Sequence, residues 1–195
     1  GVRWVGAGRN REEASSPAFV DAGGLKVAFL AFTDILPRGF RAGPKSPGVA
    51  IFEDVKGRIP EARRGADLVA VLAHWGVERS HRATARQRTL ARRMALLGAD
   101  LVVGCHPHVL QGLEAVGNCG VAYSLGNFVH THPAAACRQS LILEAEVCPL
   151  GPLRFKALPV WIESGRPRPA PSGRAATILS LLDRLSGGRM EGGTF

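Results

Sequence analysis

Two short apolar runs, each leading into histidine, constrain this chain more than any other feature. Residues 66–73 run straight into His74, and residues 100–104 lead through Cys105 into His106-Pro107-His108. Short Val/Leu/Ala-rich runs bounded by Gly and charged residues read as buried strands. Between them, residues 84–97 carry Leu90, Met94 and Leu97 at helical spacing, with Arg and Gln on the other face, and Gly98 stops the pattern. Strand, helix, strand suits a parallel pair. Both histidine groups then stand just past the C-terminal ends of strands, where open α/β sheets keep their sites.

The rest of the pattern is mixed. Residues 2–5 read as a short strand before Gly6-Ala7-Gly8, and a helix starts near Asn10. The third glycine of a dinucleotide fingerprint is absent, so this is a tight strand-to-helix turn. Residues 26–33 are a β-rich run, 34–47 a Pro/Gly loop and 52–63 a helix. Residues 109–116 and 120–124 read as strands joined at Gly117-Asn118, and 140–147 and 154–161 as two more. Residues 164–173 form a Pro-rich connector. Residues 174–187 form an amphipathic helix with Ile178, Leu181, Leu182 and Leu185 on one side. Residues 188–195 are a flexible tail. The fold class is α/β, with helices outside sheets.

With 195 residues, 46% of them hydrophobic, the chain suits one globular domain or a large piece of one. No apolar run approaches the roughly 18 residues that cross a bilayer. No basic-then-apolar leader stands at Gly1, so no signal or transmembrane segment is expected in this chain. The net charge is +9. Its basic residues are scattered and do not alternate with aromatics, which argues against nucleic acid as a partner. The four cysteines, Cys105, Cys119, Cys137 and Cys148, contain no CxxC pair, which disfavours a zinc knuckle.

His106 and His108 are the strongest chemical signal. Residues i and i+2 of an extended stretch point to one side, and Pro107 biases His106 toward an extended conformation. The unit reads as a stiff clip of two imidazoles, with His74 close by, suited to Zn, Mn or Fe. Glu78 fits either a carboxylate that orients a ligand or water or a surface ion pair. Asn127, after Gly126, fits either a donor to a substrate oxyanion or a turn cap. His130 and His132 lack a rigid surrounding and read as exposed loop histidines, as does His81. Cys105, beside the histidine pair, fits either a soft ligand or, the favoured reading, a small buried filler.

Three ordered segments carry a resemblance: His74-Trp75-Gly76-x-Glu78, then residues 98–111 with Gly104-x-His106-Pro107-His108, then Tyr123-Ser124-Leu125-Gly126-Asn127-Phe128. Together they resemble the CapA domain of bacterial poly-γ-glutamate capsule synthesis, within the calcineurin-like metallophosphoesterase superfamily. The resemblance implies that residues 1–163 are the C-terminal part of a four-layer sandwich, two mixed sheets flanked by helices, with N-terminal strands missing. It assigns His74 to the fourth superfamily metal motif, and His106 and His108 to the fifth. It implies divalent metal, two ions in a full-length parent, and an extracytoplasmic or membrane-associated setting. The earlier Asp, Asn-Leu-Glu and Asn-Asn-His motifs would lie before Gly1, and Asp34 and Asp67 match none of them. Only the later half of the centre is therefore expected here. At His130 the family more usually has an apolar residue.

Two functions follow. One is a metal-dependent hydrolase of phosphoester type, incomplete and inactive in this chain alone. The other is a non-catalytic component of a membrane-bound capsule-assembly complex that binds anionic polymer, which the basic surface would suit.

Overall fold

A computed structural model describes residues 2–147 and 153–195. Cys148 lies outside them. The elements run β1 (Ala7–Gly8), α1 (Arg11–Ser15), β2 (Ala18–Ala22), β3 (Leu25–Thr33), β4 (Gly48–Val49), α2 (Phe52–Val55), α3 (Arg58–Arg63), β5 (Leu68–His74), α4 (Ala85–Leu96) and β6 (Leu101–Cys105). They continue with β7 (Leu113–Val116), β8 (Cys119–Ala122), a 3-10 turn (Ala135–Arg138), β9 (Gln139–Glu146), β10 (Arg154–Glu163), β11 (Arg166–Pro169) and α5 (Ser172–Leu185).

The main sheet has six strands in the order β2-β3-β5-β6-β8-β7. Its four central strands are parallel, and the outer two pair antiparallel. Each parallel crossover is spanned by helix or a longer connection, as parallel pairing requires. Helix α4 is the clearest case. Thr84 caps it by accepting from the Gln87 N–H, and Leu90, Ala91 and Met94 are buried against the sheet while its arginines face water. Phe52, Val55 and Ile59 of α2 and α3 bury against the same face. The opposite face, near β7 and β8, meets a second sheet ordered β11-β10-β9 and helix α5 through Leu113, Ala122, Leu141, Phe155, Ile178 and Leu182. That second sheet is wholly antiparallel. Farther along, the face is open: Leu72, in β5, keeps 39% of its surface exposed.

Several expectations are corrected. Residues 2–5 form no strand, and Val2 and Trp4 are exposed. The helix expected over 52–63 is two helices, with a break at Lys56-Gly57. Pro60 is the reason: it has no N–H for the Lys56 carbonyl and its ring would clash there, so it is tolerated only in a first turn. Part of the Pro-rich connector is strand β11, paired antiparallel with β10 through a turn at Ser164-Gly165. Its prolines are tolerated because the strand is at an edge. The tail is docked, not loose: Phe155 and Phe195 exchange backbone hydrogen bonds of 3.0 and 2.8 Å, and Ala157 N–H donates to Gly193 O. Two strands had no expectation at all: β4, and β2, which is joined to β3 by Gly23-Gly24, both at positive φ.

Candidate metal centre

Parallel register builds the centre. Thr33 pairs with His74, and His74 with Cys105, so the C-terminal ends of β3, β5 and β6 stand level. The chain leaving β6 then carries His106 and His108 past the end of His74. The His106 and His74 ring centroids are 4.7 Å apart, and those of His106 and His108 are 6.1 Å apart.

The clip is not extended. His106 has φ +94° and His108 φ +59°, in the left-handed region that side chains rarely enter. Tertiary hydrogen bonds hold this strained turn: Trp75 N–H to Cys105 O at 3.1 Å and Arg79 N–H to Pro107 O at 2.7 Å. Local preference around Pro107 is overridden. The two rings still reach one crevice, by a turn and not by strand alternation.

Two of the histidines are oriented through Nδ1. The Asn127 amide donates to Cys137 O at 2.9 Å, so its Oδ1 faces His108, whose Nδ1 lies 2.7 Å away. A carbonyl oxygen only accepts, so His108 Nδ1 carries the proton and Nε2 keeps its lone pair. Thr33 does the same for His74: its hydroxyl donates to Ile35 O at 2.7 Å and stands 3.2 Å from His74 Nδ1. Burial, together with the His106 and His108 charges, pushes the His74 pKa down, which keeps the ring neutral at pH 7. Neutral imidazoles with free Nε2 lone pairs are the donors a divalent transition ion needs.

Glu78 joins them. Glu78, His106 and His108 each offer a ligand atom, all within 4.8 Å of one another. Among the described residues Glu78 makes no ion pair, which removes the surface salt-bridge alternative. Its loop is pinned from beneath. Gln87 donates to Gln111 at 2.8 Å, and Gln111 donates to the carbonyls of Ser80 and Arg82. His74 lies beside this trio, outside it. Asn127 is buried and faces His108, so an oxyanion role is replaced by an orienting one. Cys105 is exposed, contrary to the filler expectation. His81 donates to Leu110 O. Asp34 pairs with Arg86, and Asp67 accepts from Lys26 N–H, so neither belongs to the centre. Sequence reasoning missed Thr33 and the Gln87–Gln111 pair. Thr33, a polar residue ending an apolar strand, was the available signal.

The fold resembles solved 5′-nucleotidases. One is a putative 5′-nucleotidase of Staphylococcus aureus, 14% identical, with a TM-score of 0.53 over 92% of this chain and 36% of that one. Another is a 5′-nucleotidase precursor of Thermus thermophilus, 18% identical, with a TM-score of 0.53 and the same coverage. The class is thus a metallophosphoesterase-like fold. Sequence narrows it: the family model described as bacterial capsule synthesis protein PGA_cap matches residues 1–132, and the chain belongs to that family. The PGA biosynthesis protein CapA of Bacillus subtilis is 38% identical over 168 residues, 85% of this chain and 44% of that protein. The capsule biosynthesis protein CapA of Bacillus anthracis is 34% identical over 87% of this chain and 43% of its own length. The chain spans less than half the length of these curated relatives.

Proposed function

We propose that this chain contributes the histidine half of a metal-dependent hydrolytic centre of phosphoester type in a capsule-synthesis protein. The observation that carries the reading is the convergence of His108, His106 and Glu78 donor atoms, with Asn127 leaving His108 Nε2 free. His106, His108 and Glu78 would hold a divalent ion there, which would supply Lewis-acid activation of a phosphoryl-type oxygen and of water. Mn, Zn and Fe all suit the donor set. The residues of this chain do the holding and aiming: Asn127 and Thr33 fix the imidazole tautomers, and the Gln87–Gln111 pair fixes the Glu78 loop. Proposed partners are a phosphoester or anionic polymer and a membrane-bound capsule-synthesis complex. No helix among the described residues is long and apolar enough to cross a membrane.

A second reading, polymer binding without catalysis, has its own support. Arg82, Arg88, Arg184 and Arg189, with His81, line one cleft of about 490 Å³ that does not include His74, His106 or His108. Only Arg88 among them has a carboxylate partner among the described residues, Glu114 at 2.6 Å.

The test is metal content and hydrolysis of a model phosphodiester, measured on the longer protein that contains this sequence. The hydrolase reading expects bound divalent metal, turnover, and loss of both when His106 and His108 are replaced by Ala. An inactive, metal-free protein that still binds polyglutamate would leave the second reading standing instead.

A further inference from the structure

Arginines from three separate parts of the chain meet in one cleft. Arg82 comes from the loop before α4, Arg88 from α4, and Arg184 and Arg189 from the end of α5 and the turn beyond it. The floor between them is fastened. Ser186, 2% exposed, accepts from the Leu113 N–H at 2.9 Å and donates to Leu182 O at 2.8 Å, which ties the end of α5 to β7. Gly112 permits this approach, since a Cβ there would run into Leu185 O. Walls held in this way keep like charges together, and like charges repel until an anion lies between them.

Three of the guanidiniums are each anchored through one nitrogen. Arg88 Nη1 donates to Glu114 at 2.6 Å, Arg184 Nη1 to Ser180 Oγ at 2.9 Å, and Arg189 Nε to Ser186 O at 2.8 Å. Their remaining N–H groups have no hydrogen-bond acceptor among the described residues, and Arg82 has no ion pair there. Glu114 is the one carboxylate lining the cleft, and it is already engaged by Arg88 and by the Tyr123 hydroxyl at 2.8 Å. Anchored guanidiniums lose little freedom on binding, and their forks match the oxygens of phosphate and carboxylate. The volume of about 490 Å³ lies in the range of small-ligand sites. The cleft also adjoins the metal centre. His81, at its edge, follows Glu78 by three residues, which span at most about 11 Å. His81 Nδ1 donates to Leu110 O at 2.7 Å, tying that loop to the one leaving His108.

We propose that this cleft is an anion-binding site, beside the metal centre, for a compact ligand that carries two or more phosphate or carboxylate groups. Arg184 and Arg189 on one wall and Arg82 on the other are its main contacts, and Arg88 contributes what its pairing with Glu114 leaves free. One negative group would leave most of the gathered positive charge unmatched, so a multiply charged ligand is favoured. The proposal rests on the cleft of the second reading above and deepens it by fixing which groups are held and by which residues. It does not require the metal centre to be catalytic.

Calorimetric titration of the metal-free full chain at low salt tests this, with tripolyphosphate as one probe and propane-1,2,3-tricarboxylate as the other. The wild type should bind one equivalent of at least one probe. Arg184→Gln combined with Arg189→Gln should weaken that binding by about 30-fold or more, as loss of two charge-assisted contacts requires. Arg82→Gln, in a separate loop whose side chain supports no other element, should weaken it by about tenfold. Arg38→Gln combined with Arg64→Gln removes the same charge from exposed positions outside the cleft and should change affinity by less than about threefold. Binding of tripolyphosphate alone makes the ligand a phosphate compound, and binding of the tricarboxylate alone makes it a polycarboxylate; each supports the site. If the cleft pair and the remote pair weaken binding equally, the anion responds to net charge only. The cleft assignment is then overturned, while polymer binding through general surface charge stands. If the wild type binds neither probe, the cleft and the second reading fall together and the metal centre is untouched.

Discussion

An imidazole binds a metal only through a nitrogen with a free lone pair, so whatever fixes the proton on the other nitrogen decides whether a histidine is a ligand. For His108 that group is Asn127. Replacing Asn127 by Ala should lower Zn²⁺ affinity by about 10- to 100-fold, the usual cost of losing an outer partner of a metal-bound histidine. It should also cost about 1–3 kcal/mol of stability, because Cys137 O loses its buried donor. Asn127→Asp restores the acceptor for His108 but not the donor to Cys137 O. It should therefore recover metal affinity and leave the stability loss. Calorimetric titration with Zn²⁺ on the three proteins separates these effects, and an Asn127→Ala chain that binds like wild type would rule out the orienting role. At this scale the site was half legible. His74, His106 and His108 were readable because strand ends and a His-x-His unit are sequence-local. The orienting contacts were not, since Thr33 reaches His74 across 41 positions and Asn127 reaches His108 across 19.

At the scale of elements, the legible parts were those whose cause is local. Helix α4 carries its own cap, periodicity and stop, and β3, β5 and β6 carry their own apolar runs. The misreadings came from causes outside the segment. The His106-Pro107-His108 turn is held by Trp75 and Arg79 from another loop, against local preference. Strand β11 and the tail gain order only by pairing with β10. Close approach is another non-local cause, and Gly104 shows it. A Cβ there would lie 2.0 Å from Tyr123 O and 2.3 Å from Trp75 Nε1, the pair already joined by a 3.0 Å hydrogen bond. Backbone and a buried indole cannot yield cheaply. Gly104→Ala should therefore destabilise the chain by about 1–3 kcal/mol, the range for overpacking a tight core, and disturb the centre two residues on. Urea unfolding measures the first effect and Zn²⁺ affinity the second. A variant as stable as wild type would mean that β6 and β8 have room the structure does not show.

For the whole molecule the governing quantity is charge. With 25 basic residues against 16 acidic, every carboxylate that takes up a proton adds to an existing positive excess. The acid side is thus the weak side, and Asp54 is where the fold is most exposed to it. Its side chain is 3% exposed and binds Arg41 at 2.6 Å and Arg11 at 3.5 Å, tying α1 and the segment before β4 to the start of α2. Burial alone would push its pKa up. Hydrogen bonds from Arg41 and the Ile51 N–H, with the charges of Arg41 and Arg11, outweigh burial and hold it below the usual range. A carboxylate with a folded pKa below its unfolded value of about 3.9 binds fewer protons folded than unfolded. Its stabilisation is complete at neutral pH and is lost as pH falls through the unfolded and then the folded value. Asp54→Asn should cost about 1.5–3 kcal/mol at pH 7, the worth of hydrogen bonds to charged groups. The gap between wild type and variant should close as pH drops below about 4, because the wild type loses what the variant never had. Urea unfolding of both chains, from neutral pH down to about one unit below that unfolded value, reads this directly. A gap that stays constant over that range would show that Asp54 acts through shape and hydrogen bonding, with its charge contributing nothing to the acid sensitivity of the fold.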